Sequence, residues 1–449
     1  MRLKHLLLGS LMLVSSACFA QLPTASEVAS KMYPGWNLGN TMEANNNGTN
    51  FSNNVGLSGE TSWQSIKTTQ AIIDFVKSKG FKSVRIPCNW VCGHISDASA
   101  CTIDAAWMAR VKEIVDYCIS DGLYVVLNDH YDGGWVERSF GDISDAAITK
   151  NSATMKLIWT QIANEFKDYD EHLLFAGLNE PDVSNQKQTD ALLKYEQAFV
   201  DAVRATGGNN ETRTLIVQGP STDIDKTVNY FSAMPTDAVA NRLMVEVHYY
   251  SPSQFTGVWE NGKPYYFWGA ANHVPSGSYK NYNSTWGEES ELSAQFNKMK
   301  AKFADKGIPV LLGEFGANWR SIGNTAAQKK HDASIKLFNK LVVQNAINCG
   351  MVPMVWDVNV ANQSGTTGIM TVINRGSRSV FCTPAMEGIT EGASSGRWTI
   401  ATGIDFVKSE ATTMPVKAYN LQGQLVTPTT KGIVIINGKK YFNLNSATL

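Results

Sequence analysis

The sequence lacks the features that mark several classes of protein. It has no excess of basic residues, since 39 Lys and Arg stand against 40 Asp and Glu for a formal net charge of −1, so it offers no positive field along which a nucleic acid would bind. Its seven cysteines form no CxxC pair, which argues against a zinc site. It also lacks an apolar run of about 20 residues, the length that a membrane-spanning helix needs. We therefore expect no nucleic-acid partner, no bound metal and no transmembrane span.

The first twenty residues have the pattern of a secretory signal. A basic start, Met1–His5, is followed by a short apolar run, Leu6–Val14, and by small residues up to a predicted cleavage site after Ala20. The pattern predicts a secreted or cell-surface protein. Cys18 leaves lipoprotein export as an alternative, although Ser15 stands where such a signal usually has Leu.

Six cysteines remain after the predicted signal, and an exported protein can oxidise them. Cys92 and Cys101 flank a short polar loop, Gly93–Ala100, and are the predicted disulfide pair. Cys88 and Cys118 lie in apolar segments and are interpreted as buried thiols.

Eight apolar segments of strand length recur along the chain, and most are followed by a helical pattern. The segments are Gly35–Asn40, Ser83–Asn89, Leu123–Asp129, Leu173–Asn179, Thr214–Gly219, Leu243–Tyr249, Ile308–Glu314 and Met351–Asp357. The predicted helices are Thr69–Lys79, Trp107–Ser120, Asn151–Asp168, Asp190–Ala205, Glu291–Lys306 and Ala326–Asn348. Nearly continuous apolar runs are typical of parallel strands that are covered on both faces.

This alternation predicts an α/β fold, a (β/α)8 TIM barrel over residues 21–410. A doubly wound open sheet is the alternative, but it usually carries a Gly-rich phosphate loop between its first strand and a helix. Here no helix follows Gly35–Asn40 at once, which favours the barrel.

Two acidic side chains stand at the ends of predicted strands. The runs Phe175–Pro181 and Ile308–Gly316 place Glu180 and Glu314 directly after buried apolar residues. In a barrel the carboxyl ends of all strands converge on one face. A glycosidase needs two such carboxyl groups, one to protonate the leaving oxygen and one to attack or to activate water.

Further polar and aromatic residues occupy other strand ends: Arg85, His130, Asn179, His248, Tyr250 and Trp356. An arginine between apolar neighbours needs a buried anion, which a carboxylate of the seventh strand would supply, or else a structural ion pair elsewhere. His248 and Tyr250 are two positions apart and share one side of their strand. His130 satisfied by loop backbone, and Trp356 as a core residue, are the alternatives to a role in binding sugar.

Two long loops are candidates for the walls of a cleft. Thr41–Ser62 is rich in Asn, Gly and Ser, and Ser251–Glu288 contains nine aromatic residues, among them Trp259, Trp268 and Trp286. The aromatic loop is interpreted either as part of a cleft wall or as a loop packed on itself.

Several motifs together resemble glycoside hydrolase family 5, and in particular its bacterial endo-β-1,4-glucanase branch. They are Gly35-Trp36-Asn37-Leu38-Gly39-Asn40-Thr41, Val84-Arg85-Ile86-Pro87, Leu178-Asn179-Glu180-Pro181, His248-Tyr249-Tyr250-Ser251-Pro252, Gly313-Glu314-Phe315-Gly316 and Trp356-Asp357. The resemblance spans about residues 25–410, in the family's order, and implies a retaining enzyme on a (β/α)8 barrel.

The resemblance also implies a role for each candidate. Glu180 would be the acid/base and Glu314 the nucleophile, oriented by Arg85. Asn179 would bind the sugar 2-hydroxyl. The remaining candidates would line the subsite that holds the sugar at the cleavage point: His130, His248, Tyr250 and Trp356. The family often has a second histidine where this chain has Tyr131, which leaves the local sugar contacts open.

The implied activity is hydrolysis of internal β-1,4 links in cellulose or related β-glucans, without a metal or organic cofactor. It requires a raised pKa for Glu180 and an ionised Glu314, the latter favoured by Arg85. Other β-glycanase specificities remain open, namely xyloglucan, mixed-linkage glucan, xylan or mannan. A non-catalytic carbohydrate-binding barrel is a further alternative, but such a protein would be expected to have lost one of the two glutamates.

Residues 411–449 predict a small all-β tail. Ala418–Val426 has the pattern of a strand, a turn and a strand, and Lys431–Phe442 that of a hairpin around Asn-Gly. The tail resembles the C-terminal sorting segments of type IX secretion, which would make secretion machinery a partner. A final structural hairpin packed on the barrel is the alternative. A cellulose-binding strip is disfavoured because the tail lacks Trp.

Overall fold

Eight parallel strands form a closed barrel at the centre of the protein. The computed structural model describes residues 23–257, 263–360, 368–400, 418–427, 432–436 and 439–443. The barrel strands are β1 (Gly35–Asn37), β2 (Ser83–Ile86), β3 (Tyr124–Asn128), β4 (Leu173–Ala176), β5 (Leu215–Gln218), β6 (Leu243–Tyr249), β7 (Val310–Phe315) and β8 (Met351–Val355). Each strand pairs with its neighbours in sequence, and β8 closes on β1. All eight predicted strands are present, and the predicted (β/α)8 barrel is confirmed.

A helix follows each barrel strand. The helices are α1 (Gln70–Ser78), α2 (Ala105–Ser120), α3 (Asp145–Glu165), α4 (Gln186–Ala205), α5 (Ile224–Tyr230), α6 (Glu289–Lys302), α7 (Thr325–Asn348) and α8 (Thr383–Ser395). Asp104, Ser144 and Asn185 cap α2, α3 and α4 by accepting a backbone N–H of the first turn. Six of these helices are predicted by the sequence pattern, whereas α5 and α8 are not.

The barrel interior changes from apolar to polar along the strands. Val126, Leu174 and Ile216 belong to a buried apolar layer that packs against the short N-terminal helix Ala25–Ala29. Two positions further along β5 the interior residue is Gln218, because side chains on one face recur every second residue. Glu246, two positions after Met244 on β6, belongs to the same polar layer. The polar groups therefore collect at the carboxyl ends of the strands.

The predicted disulfide between Cys92 and Cys101 is wrong for this structure. All six cysteines of the described residues are buried free thiols. The Sγ of Cys92 accepts a hydrogen bond from the Asn45 amide at 3.4 Å, whereas Cys101 packs into the main apolar core. The intervening loop folds as a short antiparallel pair, Ile95–Asp97 with Thr102–Ile103, and its two ends have different surroundings.

The long aromatic loop is mostly packed on the protein. Trp268 lies in the main core, and Tyr266 stacks on Tyr282 with ring centroids 4.2 Å apart. Trp286 differs, since 40% of its surface is exposed. Trp259 lies outside the described residues. Both interpretations therefore hold in part: the loop packs on itself and on α7, and Trp286 remains available at the surface.

The structure describes parts of the predicted C-terminal tail but not the predicted N-terminal signal. A small four-stranded antiparallel sheet forms near the C-terminus from Ala418–Tyr419, Leu425–Val426, Gly432–Ile436 and Lys439–Asn443, as the tail pattern predicted. The predicted signal, residues 1–20, lies outside the described residues. None of the helices in the described ranges has both the length and the apolar character needed to cross a bilayer.

Candidate active site

The candidate residues of six different strands meet at the carboxyl end of the barrel. Oxygen atoms of the Glu180 and Glu314 carboxylates lie within 4.8 Å of each other, with a nitrogen of His248 within the same distance of both. Glu180 follows β4 and Glu314 lies in β7, so the barrel closes a gap of 134 positions in the sequence. The site is therefore a cluster of two carboxylates and the groups that hold them.

Glu314 is buried and held from two sides. Its Oε1 accepts from Nη1 of Arg85 at 2.9 Å, and its Oε2 accepts from the Tyr250 hydroxyl at 3.0 Å. Burial raises the pKa of Glu314, while His248 and Arg85 oppose that rise. Arg85 favours the ionised form, as the sequence predicted, but the loss of hydration outweighs the two cations in the net direction of the pKa shift.

Arg85 organises the floor of the site. Besides Glu314, its guanidinium donates to the side-chain oxygens of Asn37 at 3.0 Å and Asn179 at 2.7 Å. The contact with Arg85 fixes the Oδ1 of Asn179, so its Nδ2 donors point away from Arg85. Nε of Arg85 lies 3.0 Å from Oε1 of Glu246, and both side chains are fully buried. Arg85 thus joins β1, β2, β4, β6 and β7, and its ion pair lies within the site rather than elsewhere.

Glu180 is more accessible than Glu314. Its side chain is 43% exposed, and its Oε1 lies 2.7 Å from Nδ1 of His248. Nε2 of the same histidine lies 3.3 Å from Glu246. Burial alone would lower the pKa of His248, but Glu314, Glu180 and Glu246 together raise it to about 10. A protonated His248 therefore donates to one carboxylate on each side.

Trp356 and His130 form an aromatic surface beside the carboxylates. Their rings stack at 5.7 Å with an interplanar angle of 13°. Burial, Arg85 and His248 keep the pKa of His130 well below its ordinary value, so the ring is neutral. A Cβ at Gly39 would lie 3.0 Å from the Trp356 ring and 2.7 Å from the Asp357 carbonyl oxygen, so glycine is required there.

Tyr131, the departure from the family pattern, points outward. It is 40% exposed, and its ring lies 5.5 Å from the guanidinium carbon of Arg138. Its backbone has a positive φ of 54°. The neighbouring Asp132 accepts backbone N–H groups of Val91 and Cys92, both at 2.6 Å, and anchors this loop.

Two buried carboxyl groups of the site, Glu246 and Glu137, are not among the residues predicted from the sequence. Glu246 could have been found from the sequence, because Glu246, His248 and Tyr250 occupy alternate positions along β6 and share one face. No sequence pattern indicates Glu137, since it lies in an irregular loop between β3 and α3. Glu137 accepts backbone N–H groups of Asn179 and Glu180.

Two groups of side chains in the described ranges have distances that suit a metal ion. One is Glu180, His248 and Glu314, and the other is the exposed loop cluster Asp170, Glu171 and His172. In the first group the raised pKa of His248 favours the imidazolium, which has no free lone pair for a metal. The proton on His248 therefore occupies the position that a metal cation would need between the Glu180 and Glu314 carboxylates.

A cavity of about 300 Å³ opens beside Glu180. Its lining includes Ser221 and Asp223 from the loop after β5, and Trp286 and Gln295 from the segment after β6. Neither Glu314 nor Trp356 is part of this lining. The cavity therefore extends from Glu180 on the side away from the aromatic surface.

Comparisons with known proteins agree with this geometry. The sequence model of the family described as cellulase (glycosyl hydrolase family 5) matches residues 42–362. The chain belongs to glycoside hydrolase family 5. Endoglucanase A of Paenibacillus barcinonensis is 37% identical over 372 residues, which cover 78% of this chain and 86% of that protein.

The solved structures of family 5 relatives include enzymes with different substrate specificities. A xyloglucan-specific β-1,4-glucanase from a ruminal metagenomic library is 48% identical, with a TM-score of 0.77, and the match covers 84% of this chain and 98% of that one. A broad-specificity endoglucanase from Ruminococcus champanellensis, with bound cellotriose, is 32% identical, with a TM-score of 0.68 and coverage of 82% and 98%. This family 5 chain is thus an endoglucanase-like glycoside hydrolase.

Proposed function

We propose that the protein is a retaining endo-β-1,4-glucanase that hydrolyses internal links of cellulose or related β-glucans. The observation that carries the proposal is that a carboxylate oxygen of Glu180 and one of Glu314 lie within 4.8 Å of each other. Retaining glycosidases hold their two carboxyl groups about 5–5.5 Å apart, whereas inverting enzymes leave about 6.5–9.5 Å for a water molecule. The short separation favours direct attack by one carboxylate.

In the first step Glu314 attacks the anomeric carbon and Glu180 gives its proton to the glycosidic oxygen. The bond from carbon to Glu314 forms as the bond to the leaving sugar breaks. The Arg85 guanidinium and the Tyr250 hydroxyl hold the attacking carboxylate in place. The Nδ2 donors of Asn179 bind the 2-hydroxyl of the sugar, a contact that strengthens as positive charge develops on the ring.

In the second step a water molecule replaces the leaving sugar. Glu180, now without its proton, takes a proton from that water, whose oxygen attacks the anomeric carbon and releases Glu314. The two inversions restore the original configuration. The partial exposure of Glu180 suits this role, because both leaving sugar and water must reach it.

Xyloglucan is the second candidate substrate, and the 48% identity to a xyloglucan-specific enzyme favours it. The cavity beside Glu180 is the candidate position for a sugar branch. Reducing-sugar release from carboxymethyl cellulose, xyloglucan, mixed-linkage glucan, xylan and mannan separates the candidates. Release of reducing sugar from carboxymethyl cellulose, xyloglucan or mixed-linkage glucan supports the proposal. If the protein releases reducing sugar from none of the five polysaccharides, the proposal is contradicted.

We predict that Glu314→Gln abolishes turnover and leaves polysaccharide binding intact. The amide keeps the shape and the contact with Tyr250 but cannot attack carbon. Hydrolysis rate and binding to soluble glucan by affinity electrophoresis measure the two effects. A variant with near-normal hydrolysis would remove Glu314 from the nucleophile's role.

Export remains a proposal that rests on residues 1–20 and on the C-terminal tail. We propose cleavage after Ala20 and delivery to the cell surface or the medium. N-terminal sequencing of the mature protein checks the cleavage site. A mature chain beginning at a lipid-modified Cys18 would favour lipoprotein export instead.

A further inference from the structure

Glu137 lies beneath the turn that carries Glu180. It is only 3% exposed. Its Oε1 accepts the backbone N–H of Asn179 at 2.7 Å and of Glu180 at 2.8 Å. Its own carbonyl oxygen accepts the N–H of Asp182 at 2.8 Å. Glu137 thus accepts all three backbone N–H groups of residues 179–182, since Pro181 has none.

These N–H groups have no strand partner because they lie beyond the end of β4. A buried N–H left without an acceptor costs about 1–3 kcal/mol, so the turn depends on Glu137 for its shape. The direction of the Glu180 side chain follows from the position of its backbone. The same Oε1 also accepts the N–H of Tyr131 at 3.3 Å, which ties the loop after β3 to the loop after β4.

The hydrogen bonds of Glu137 do not require a negative charge. Burial, followed by the nearby charge of Glu180, raises the pKa of Glu137 to about 8. The other acidic groups near it are Asp129 and Asp132 in its own loop, and they are also buried. All three bonds go to a single oxygen, Oε1, which a glutamine side chain also possesses.

We propose that Glu137 is a positioning residue for the general acid/base: as a neutral acceptor it fixes the Asn179–Glu180 backbone and so aims the Glu180 carboxyl group at the glycosidic oxygen. The inference rests on the proposed function. The side chain of Asn179 is held separately by Arg85 at 2.7 Å, so we expect the loss in proton transfer by Glu180 and not in attack by Glu314. A substrate whose leaving group needs no proton therefore distinguishes this role from a general structural one.

The experiment compares Glu137→Ala and Glu137→Gln with the unaltered protein on two substrates, a soluble β-glucan and dinitrophenyl β-cellobioside. For Glu137→Ala we expect kcat/KM on the polysaccharide to fall about 100-fold, the scale of a misplaced catalytic group. On the dinitrophenyl substrate kcat/KM should stay within about threefold, with kcat and KM falling together because the base step is slow. Glu137→Gln should keep most activity on both.

Glu43→Ala is the matched control. Glu43 is equally buried, has its pKa raised to about 7 by burial, and accepts backbone N–H groups of Asn40 and Thr41 in the loop after β1. It braces a loop that carries no acid/base residue, so any loss should be the same on both substrates. If Glu137→Ala does not fold, Glu137→Asp, which shortens the reach, should show the same selective loss.

Two results overturn the inference. One is an equal loss on both substrates in Glu137→Ala or Glu137→Asp, which indicates a general structural role. The other is a Glu137→Gln variant as impaired as Glu137→Ala, which contradicts a neutral acceptor. Failure of the proposed function is distinct, since the unaltered protein would then hydrolyse neither substrate.

Discussion

Glu246 is the buried anion shared by the two cations of the site. It lies 3.0 Å from Nε of Arg85 and 3.3 Å from Nε2 of His248, and it accepts from the Gln218 amide at 2.6 Å. Burial alone would raise the pKa of Glu246, but Arg85 and His248 hold it below its ordinary value. Because Arg85 holds Glu314 and His248 contacts Glu180, Glu246 supports both candidate catalytic carboxylates at once.

We predict that Glu246→Gln destabilises the protein by about 3–5 kcal/mol, because two buried cations lose a shared counter-charge. It should also move the loss of the His248 proton to lower pH. The raised pKa of His248, about 10, contributes stability that is complete below its unfolded value of 6.5 and is lost as the pH rises through 10. In the variant this loss begins at lower pH. Urea unfolding measured over a range of pH follows both effects.

Glu60→Gln is the control for that prediction. Glu60 is a buried carboxylate that pairs with Arg110, and neither residue contacts the catalytic groups described above. It should lose comparable stability, with the alkaline loss of stability beginning at the same pH as in the unaltered protein. An unchanged pH for the alkaline loss of stability in Glu246→Gln would contradict the role given to Glu246.

At the residue scale, the side chains that meet at the carboxyl end of the barrel could be predicted from the sequence where they follow strands. Glu180, Glu314 and Arg85 could be found because each interrupts or ends an apolar run. Glu137 could not, because its function depends on an irregular loop that brings it under a turn 42 positions away. The direction of the Glu314 pKa shift also depended on burial, which the sequence does not quantify.

At the element scale, strands were easier to predict than helices. The strand segments are apolar throughout because both faces are covered, but their predicted ends extended too far, as in Gly35–Asn40 against the observed Gly35–Asn37. Beyond β1, Leu38 still donates its backbone N–H to the Arg85 carbonyl oxygen of β2, and Gly39 lies against the Trp356 ring. Helix α8 was missed because Gly388, Gly392 and four Ser or Thr residues give it a loop-like composition.

The glycines of α8 have a packing role that explains its composition. A Cβ at Gly392 would lie 2.6 Å from the Lys340 carbonyl oxygen and 2.8 Å from the Val343 Cβ on α7. At Gly388 the Lys336 carbonyl oxygen would be 2.3 Å away. The two helices therefore approach each other closely at Gly388 and Gly392, which have no side chains.

We predict that Gly392→Ala lowers the free energy of unfolding by about 1–3 kcal/mol, because the added methyl forces α7 and α8 apart. Turnover per folded molecule should not change, since this end of α8 lies opposite the catalytic face. Thermal and urea unfolding measure the stability. Ser394→Ala, on the exposed side of the same helix, is the control and should change stability by less than about 0.5 kcal/mol. Equal stability of the two variants would contradict the packing argument.

At the scale of the whole molecule, the closed barrel was predictable because eight strand–helix units leave few other arrangements. Closure is what turns residues from six strands into one site. Substrate choice was not predictable, since it depends on loop surfaces such as the cavity lined by Ser221, Asp223 and Trp286. The relatives reflect this, because they include both xyloglucan-specific and broad-specificity enzymes.

The central claim is that Glu180 and Glu314 act together across one anomeric centre by double displacement. Proton NMR of freshly hydrolysed cello-oligosaccharide, recorded before mutarotation, tests it most directly. The account predicts that the β-anomer of the new reducing end appears first and the α-anomer only later. Initial release of the α-anomer would mean inversion, and the mechanism assigned to the two glutamates would be wrong.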